Sequence, residues 1–227
     1  MINIPIILTL YAGFTHAFEA DHLLAVSNMV SNRNKLQKAI KDGMYWGLGH
    51  TSTILVIGII FLLLKFQISQ TYFKLFEAGV GLMLIALGVY RICRWYKMQQ
   101  PVLHTHQHAH ADGYIHKHTH LHTVSKPTHN HSHLPAYLIG LVHGLAGSGA
   151  LMLIVMSKSE TTYTALCYLL LFGLGSVAGM MIAATAFSVP FIPKVLANKN
   201  LQTLLIFVSA ILCAGYGFYI VKENLLA

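Results

Sequence analysis

Long, predominantly apolar stretches constrain the fold of this chain more than any other feature. Six of them, each of about 20 residues or more, can be drawn along the 227 residues, and a helix of that length crosses a bilayer. They lie at about 4–30, 43–64, 72–94, 135–156, 162–189 and 201–221. The sequence therefore predicts an all-α integral membrane protein with six transmembrane helices.

The overall composition agrees with a polytopic membrane protein. Hydrophobic residues make up 55% of the chain and charged residues only 10%, against about 25% charged in ordinary soluble domains. The net charge of +8 is then interpreted as loop charge that sets orientation, so no nucleic-acid partner is expected. The three cysteines are isolated and indicate neither a disulfide framework nor a thiol-redox pair. The first stretch lacks a basic start and a cleavage site, which favours a retained span over a signal peptide.

Lysine and arginine predict the orientation of the helices. Eleven of these residues fall in or beside the first, third and fifth loops, and only four (Lys65, Lys74, Lys158 and Lys222) fall on the other side. Because positive charge accumulates in cytoplasmic loops, the odd loops are predicted to be cytoplasmic and both termini to lie outside. The expected location is a bacterial cytoplasmic (inner) membrane, with the lipid bilayer as a partner.

A cluster of polar residues interrupts the first apolar stretch. His16, Glu19, Asp21 and His22 lie within seven positions, and ionisable groups at membrane depth usually form ion paths or buried pairs. Imidazole nitrogen with carboxylate oxygen suits a borderline divalent ion such as Ni, Co, Zn or Fe. The alternative is a polar cap on a short span, or buried histidines bonded to neighbouring hydroxyls.

Ideal helix geometry leaves the arrangement of this cluster open. At about 100° per residue, His16, Glu19 and His22 share one arc of a straight helix, while Asp21 points away at about 140°. The two imidazoles would also be about 9 Å apart along the axis. Either the helix departs from regular geometry here, or the histidines face different partners and Asp21 orients an imidazole through a hydrogen bond without contacting the ion.

The segment 97–134 has a different composition and contains eleven of the fifteen histidines. Alternating His-x-His in a polar tract predicts a disordered, metal-binding cytoplasmic loop. An expression tag is the alternative, but this tract is internal and irregular. Its histidines are His104, His106, His108, His110, His116, His118, His120, His122, His129, His131 and His133.

The two halves of the chain show a weak duplication. GFTHAF at 13–18 matches GLVHGL at 140–145, WGLGH at 46–50 matches FGLGS at 172–176, and LGVY at 87–90 matches YGFY at 216–219. Each unit holds three predicted spans, so the halves must enter the membrane in opposite directions, as in inverted-repeat transporters. Chance matching of Gly and Leu is the alternative. The predicted units are 1–96 and 135–227, joined by the histidine-rich loop at 97–134.

Three further intramembrane polar residues could complete a metal site. One is Glu77, one turn into the third stretch, with an interfacial position near Lys74 as the alternative, and the other two are histidines. His50 lies near the start of the second stretch, and His143 is the repeat equivalent of His16. With the first cluster they would give a nitrogen-rich set that suits Ni²⁺ over Mg²⁺ or Ca²⁺.

The motifs resemble those of one transporter family. HAFEADH at 16–22 resembles the H-A-x-D-A-D-H signature of the nickel/cobalt transporter family, and GHTST at 49–53 resembles its G-H-S-T-V segment. HGLAGSGAL at 143–151 and the histidine-rich loop resemble the branch of urease-accessory nickel permeases. The resemblance implies that His16, Asp21, His22 and His50 are metal-site residues. The chain departs from the pattern at Thr15 and Glu19, and it lacks the acidic motifs of later helices.

These observations favour a secondary permease for Ni²⁺, with Co²⁺ as a second candidate and uptake favoured over efflux. The metal is then cargo, no cofactor or enzymatic activity is expected, and cytoplasmic metallochaperones are candidate partners. No G-x4-G-K-[ST] pattern for ATP binding occurs. An intramembrane metal-dependent hydrolase, with Glu19 as general base, is the alternative from another class. A thiol-disulfide electron carrier would need paired cysteines.

Overall fold

The computed structural model of the chain describes residues 4–31, 35–64, 70–99, 102–109, 115–122, 133–146, 159, 161–192 and 198–225. Within these residues, seven α-helices and two β-strands follow in chain order. They are α1 Ile4–His16, α2 Ala20–Val30, α3 Leu36–Leu64, α4 Gln70–Gln99, β1 Val102–Ala109, β2 Ile115–His122, α5 Leu134–Ala146, α6 Thr162–Ser188 and α7 Lys199–Leu225. A short 3-10 turn, Val189–Phe191, follows α6.

Helices α3, α4, α6 and α7 are each long and apolar enough to cross a membrane. Large apolar side chains on their surfaces are exposed, for example Leu63 on α3 and Tyr163 on α6, as expected where a helix faces lipid. The prediction of a helical integral membrane protein is therefore confirmed. Helices α1 and α5 are shorter, with 13 residues each.

The first predicted span is not one helix. The stretch 4–30 folds as α1 and α2 with a break between them. The fourth predicted span begins as α5, and the remainder of that span, from residue 147, lies outside the described residues.

The histidine-rich segment contains a β-hairpin where the sequence predicts disorder. Strands β1 and β2 pair antiparallel, with His106 opposite His118 in the backbone register. Alternation of histidine with threonine, leucine and other residues has the two-residue period of a strand, which explains why this segment can pair with itself. The expectation of disorder is therefore corrected for these two strands, and 110–114 and 123–132 lie outside the described residues.

The helices pair across the two halves of the chain. Helix α1 packs along α6, α5 packs along α3, and α4 packs along α7, while α2 contacts α4, α6 and α7. Glycine permits each close approach: a Cβ added at Gly13 would overlap the backbone of Phe172, and one at Gly175 would overlap Leu10.

These close contacts occur in matched pairs. Gly140 meets the backbone of Trp46 as Gly13 meets Phe172, and Gly49 meets Tyr137 as Gly175 meets Leu10. The matched residues are 127 apart for α1 and α5, and 126 apart for α3 and α6. The offsets are the ones that the sequence duplication indicates.

Candidate metal centre

The break between α1 and α2 builds the centre of the candidate site. Helix α1 ends at His16, and the backbone N–H groups of Phe18 and Glu19 donate to the carbonyls of Thr15 and His16 in a tight turn. Glu19 is the extended N-cap of α2, at φ −65° and ψ 155°, and Asp21 lies in the first turn. Both carboxylates thus lie at the positive end of α2, where a negative charge is stabilised.

Three imidazoles meet at this break. His16 from the end of α1 and His22 from α2 have ring centroids 4.5 Å apart, and His50 from α3 lies 5.3 Å and 5.2 Å from them. Their nearest ligand nitrogens all lie within 4.8 Å of one another. His22 and His50 are buried, and the His16 side chain is 11% exposed. One divalent ion can therefore be held by nitrogen from three helices.

Four ring nitrogens of this cluster have no hydrogen-bond partner. They are Nε2 of His16, Nε2 of His22 and both ring nitrogens of His50, and all are buried. A buried polar atom left unpaired costs about 1–3 kcal/mol, so several at one point are rarely retained without a role. Neutral imidazole nitrogen is a common metal ligand, so a metal cation fits this set.

Asp21 orients two of the histidines. Nδ1 of His22 donates to Oδ1 of Asp21 at 2.9 Å, and Nε2 of His143 donates to Oδ2 at 3.0 Å. The backbone N–H of His22 also donates to Oδ1, at 2.8 Å. A carboxylate that accepts from Nδ1 leaves Nε2 of His22 as the free ligand nitrogen and increases its basicity.

Glu19 does the same for His16 from a more exposed position. Nδ1 of His16 lies 2.8 Å from Oε1 of Glu19, while the Glu19 side chain is 58% exposed and the Asp21 side chain 20%. Each carboxylate therefore pairs with a histidine of the cluster, Asp21 from a mostly buried position and Glu19 from a mostly exposed one.

His143 lies behind His22, on α5. Its ring stacks on that of His22 with centroids 4.0 Å apart, it is fully buried, and its Nδ1 has no partner. Asp21, His22 and His143 thus form a second group with metal-ligand spacing, which shares His22 with the first. In the second group Asp21 already accepts a hydrogen bond from each histidine, whereas the three histidines of the first group each keep an unpaired ring nitrogen.

Aromatic side chains enclose the cluster. The Trp46 ring lies 5.7 Å from His22 and 5.8 Å from His143, and the Phe172 ring lies 5.3 Å from His16. Sequence reasoning missed both residues. The available signal was Trp46 one helical turn before His50 on α3, a spacing that places both side chains on one face.

All six candidate residues from the sequence, His16, Glu19, Asp21, His22, His50 and His143, come together in the structure. Among the tract histidines, His133 is described with its side chain. It is half-buried beside α3, where Nδ1 bonds Oδ1 of Asp42 at 2.8 Å and the ring stacks on Tyr45. The side chains of the other ten tract histidines lie outside the described residues.

Comparison with known proteins places the chain in a membrane-protein family. Residues 15–219 match the family described as cytochrome C biogenesis protein transmembrane region. The chain belongs to this transmembrane family. The matched residues include the whole candidate centre, from His16 to His143.

Three curated proteins are similar to this chain. Urease accessory protein UreH of Bacillus sp. (strain TB-90) is 37% identical over 182 residues, which cover 79% of this chain and 74% of UreH. Chloroplast proteins FOR GROWTH AND FERTILITY 2 and 1 of Arabidopsis thaliana are each 25% identical, over 75% and 92% of this chain. The matches cover 43% and 56% of those plant proteins. No solved structure matches the chain.

The cysteines of this family member are dispersed through the fold. Cys93, Cys167 and Cys213 lie on α4, α6 and α7, and all three are free thiols. Cys213 is buried, and its Sγ donates to the carbonyl of Leu84 at 3.3 Å. The side chains that can bind a metal are therefore clustered as histidines in this chain, and the cysteines do not form a thiol pair.

Proposed function

We propose that this protein is a secondary permease that carries Ni²⁺, with Co²⁺ as a second substrate, into a bacterial cell across the cytoplasmic membrane. The carrying observation is the group of buried, unpaired nitrogens of His16, His22 and His50, oriented by carboxylates at a helix break. Uptake, metal choice and membrane orientation are parts of this proposal.

The donor chemistry supports a borderline transition metal. Three imidazoles offer neutral nitrogen, whereas Mg²⁺ and Ca²⁺ prefer oxygen ligands. The resemblance of HAFEADH to the nickel/cobalt transporter signature favours nickel or cobalt among such metals. A urease accessory protein as a relative is consistent with the urease-accessory nickel permease branch.

The matched helix contacts support a transport mechanism built on an inverted repeat of three and three spans. Helix α1 of the first unit packs on α6 of the second, and α5 of the second packs on α3 of the first. The rings of His16 and His143 both lie close to that of His22, with centroids 4.5 Å and 4.0 Å away, which brings the matched histidines of the two proposed units to one point. Inverted-repeat transporters hold their ions at the interface between the repeats, beside broken helices.

Transport measurement tests the proposal directly. Purified protein in proteoliposomes should accumulate radiolabelled Ni²⁺, and His22→Ala and His50→Ala should each abolish accumulation because each removes a ligand. His118→Ala, in the histidine-rich segment, is the control and should retain it. Accumulation by His22→Ala at the wild-type rate would refute the site, and efflux without uptake in intact cells would reverse the direction.

The same vesicles separate the permease from the intramembrane hydrolase. Glu19, the candidate general base of that alternative, is largely exposed and bonded to His16. A permease needs no bond cleavage, so metal flux without hydrolysis of a general protease substrate supports transport, and hydrolysis without flux refutes it.

A further inference from the structure

A cavity leads from the surface of the helix bundle to the histidine cluster. Its volume is about 760 Å³, and His16 and Asp21 line its inner end. Its walls come from the start of α2, the first turns of α4 and the last turns of α7, with residues such as Val80 and Tyr216. We call this cavity the vestibule.

Acidic residues are concentrated around the vestibule, although the chain as a whole carries a net positive charge. Four of the seven acidic residues of the protein line it, namely Glu19, Asp21, Glu77 and Glu223, and Lys74 is the one lysine among its described lining residues. Glu19 and Asp21 are already bonded to histidines of the cluster. Glu77 and Glu223 are exposed, and the metal centre as described so far gives them no role.

Packing of α4 against α7 places these two carboxylates at one end of the bundle. The helices run antiparallel, with Gly81 against Gly217 and Val221. Glu77 lies about 6 Å before Gly81 along its helix, and Glu223 lies about 9 Å beyond Gly217, at 1.5 Å per residue. Both therefore stand at the mouth of the vestibule, on the side that lysine and arginine counting assigns to the exterior.

We infer that the vestibule is the external approach to the metal centre and that Glu77 and Glu223 concentrate divalent cations in it. This inference rests on the proposed function and adds the route and its charged residues. Carboxylates lining a cleft with low-dielectric walls raise the local cation concentration and the association rate by 10-fold or more. They hold no metal of their own and act before His16 is reached.

The opposite end of the same helix pair carries the opposite charge. The offset of 129 residues that relates Gly88 to Gly217 also relates Arg94 to Glu223 and Arg91 to Ile220. Arg91 is buried and donates to the carbonyl of Ser31, and Arg94 donates to the hydroxyl of Tyr90. The charges at the two ends of the α4–α7 pair therefore differ in sign, although an exact repeat would give matched positions the same charge. The end with Glu77 and Glu223 is the one that attracts cations.

Initial uptake rates test the role of the two glutamates. Glu77→Gln with Glu223→Gln should raise the KM for Ni²⁺ about tenfold at low ionic strength and leave the maximal rate unchanged. The change should shrink to about twofold or less in 1 M KCl, where charges are screened beyond about 3 Å. Lys74→Gln should lower the KM, whereas Lys222→Gln, exposed on α7 but outside the vestibule lining, should not change it.

An unchanged KM in the double variant, or a rise that persists fully in 1 M KCl, would overturn the inference while wild-type uptake still supported the permease. Absence of wild-type uptake would instead refute the proposed function. Thiol labelling provides a readout that does not depend on transport. In a chain without its native cysteines, Tyr216→Cys should react with a membrane-impermeant reagent added to intact cells, and Ni²⁺ should slow that reaction.

Leu212→Cys is the matched control on α7, since Leu212 is 55% exposed but lies outside the vestibule lining and is predicted to face lipid. It should not react. Reaction of Tyr216→Cys solely in inside-out vesicles would place the vestibule on the cytoplasmic side and overturn the inference.

Discussion

Asp21 and His143 meet at 3.0 Å although 121 residues stand between them in the chain. The bond joins the start of α2 to the last turn of α5. The other carboxylate oxygen of Asp21 accepts a hydrogen bond from His22. One side chain thus ties the two halves of the protein together at the candidate metal centre. Its substitution should therefore affect the centre more than any other change that leaves the ligand nitrogens in place.

Asp21→Asn should reduce nickel uptake at least tenfold while the protein still inserts. The amide cannot accept from both imidazoles with the strength of a carboxylate, and loss of such orienting partners typically costs 10–100-fold in metal affinity. Glu19→Gln is the matched comparison and should cost less, since Glu19 is exposed to water. Uptake kinetics at several nickel concentrations check both variants. Equal losses of uptake in the two would contradict the prediction that the more buried carboxylate matters more.

His50→Ala and His143→Ala should differ in nickel binding. His50 offers one ligand nitrogen to the group with His16 and His22, so its loss should abolish binding to detergent-solubilised protein. His143 acts through Asp21, so its loss should weaken binding and leave it measurable. Calorimetric titration checks this order, and the reverse order would assign the ion to Asp21, His22 and His143.

Much of this centre could be predicted from the sequence, and the reasons for the remainder are physical. Four ionisable residues in an apolar stretch are costly, so His16, Glu19, Asp21 and His22 could be singled out without a structure. Straight-helix geometry could not place Asp21, because the chain is not helical at 17–19 and a rotation of 100° per residue does not apply across those residues. The register of the duplication indicated His143, but only packing shows that its ring stacks on His22.

Helix packing at α5 should be intolerant of one added methyl group. In Gly140→Ala the Cβ would collide with the backbone of Trp46 and His50, so α5 must move away from α3. Such overpacking costs about 1–3 kcal/mol, and we expect a lower Tm in detergent and reduced uptake. Gly215→Ala, where nothing lies within 4 Å of the added Cβ, is the control and should keep both values. An unchanged Tm in Gly140→Ala would argue against the α3–α5 contact.

Deletion of 103–132 should leave the maximal transport rate largely intact and weaken uptake at low external nickel. Neutral imidazoles bind divalent metal, so we expect the segment to buffer the metal beside the membrane. The deletion retains His133, because that residue bonds Asp42 on α3. Loss of transport at every nickel concentration, with normal insertion, would make the segment part of the pathway.

The exchange of partners between the two halves has a consequence for biosynthesis. Helix α1 packs on α6, and the ring of His143 on α5 lies against those of His22 on α2 and His50 on α3. During translation the first half therefore waits in the membrane with polar side chains exposed until the ribosome has made residues near 188. The candidate centre therefore reaches its packed arrangement only after α5 and α6 have been inserted, and a product truncated before α6 would leave the α1 surface around Gly13 without its partner.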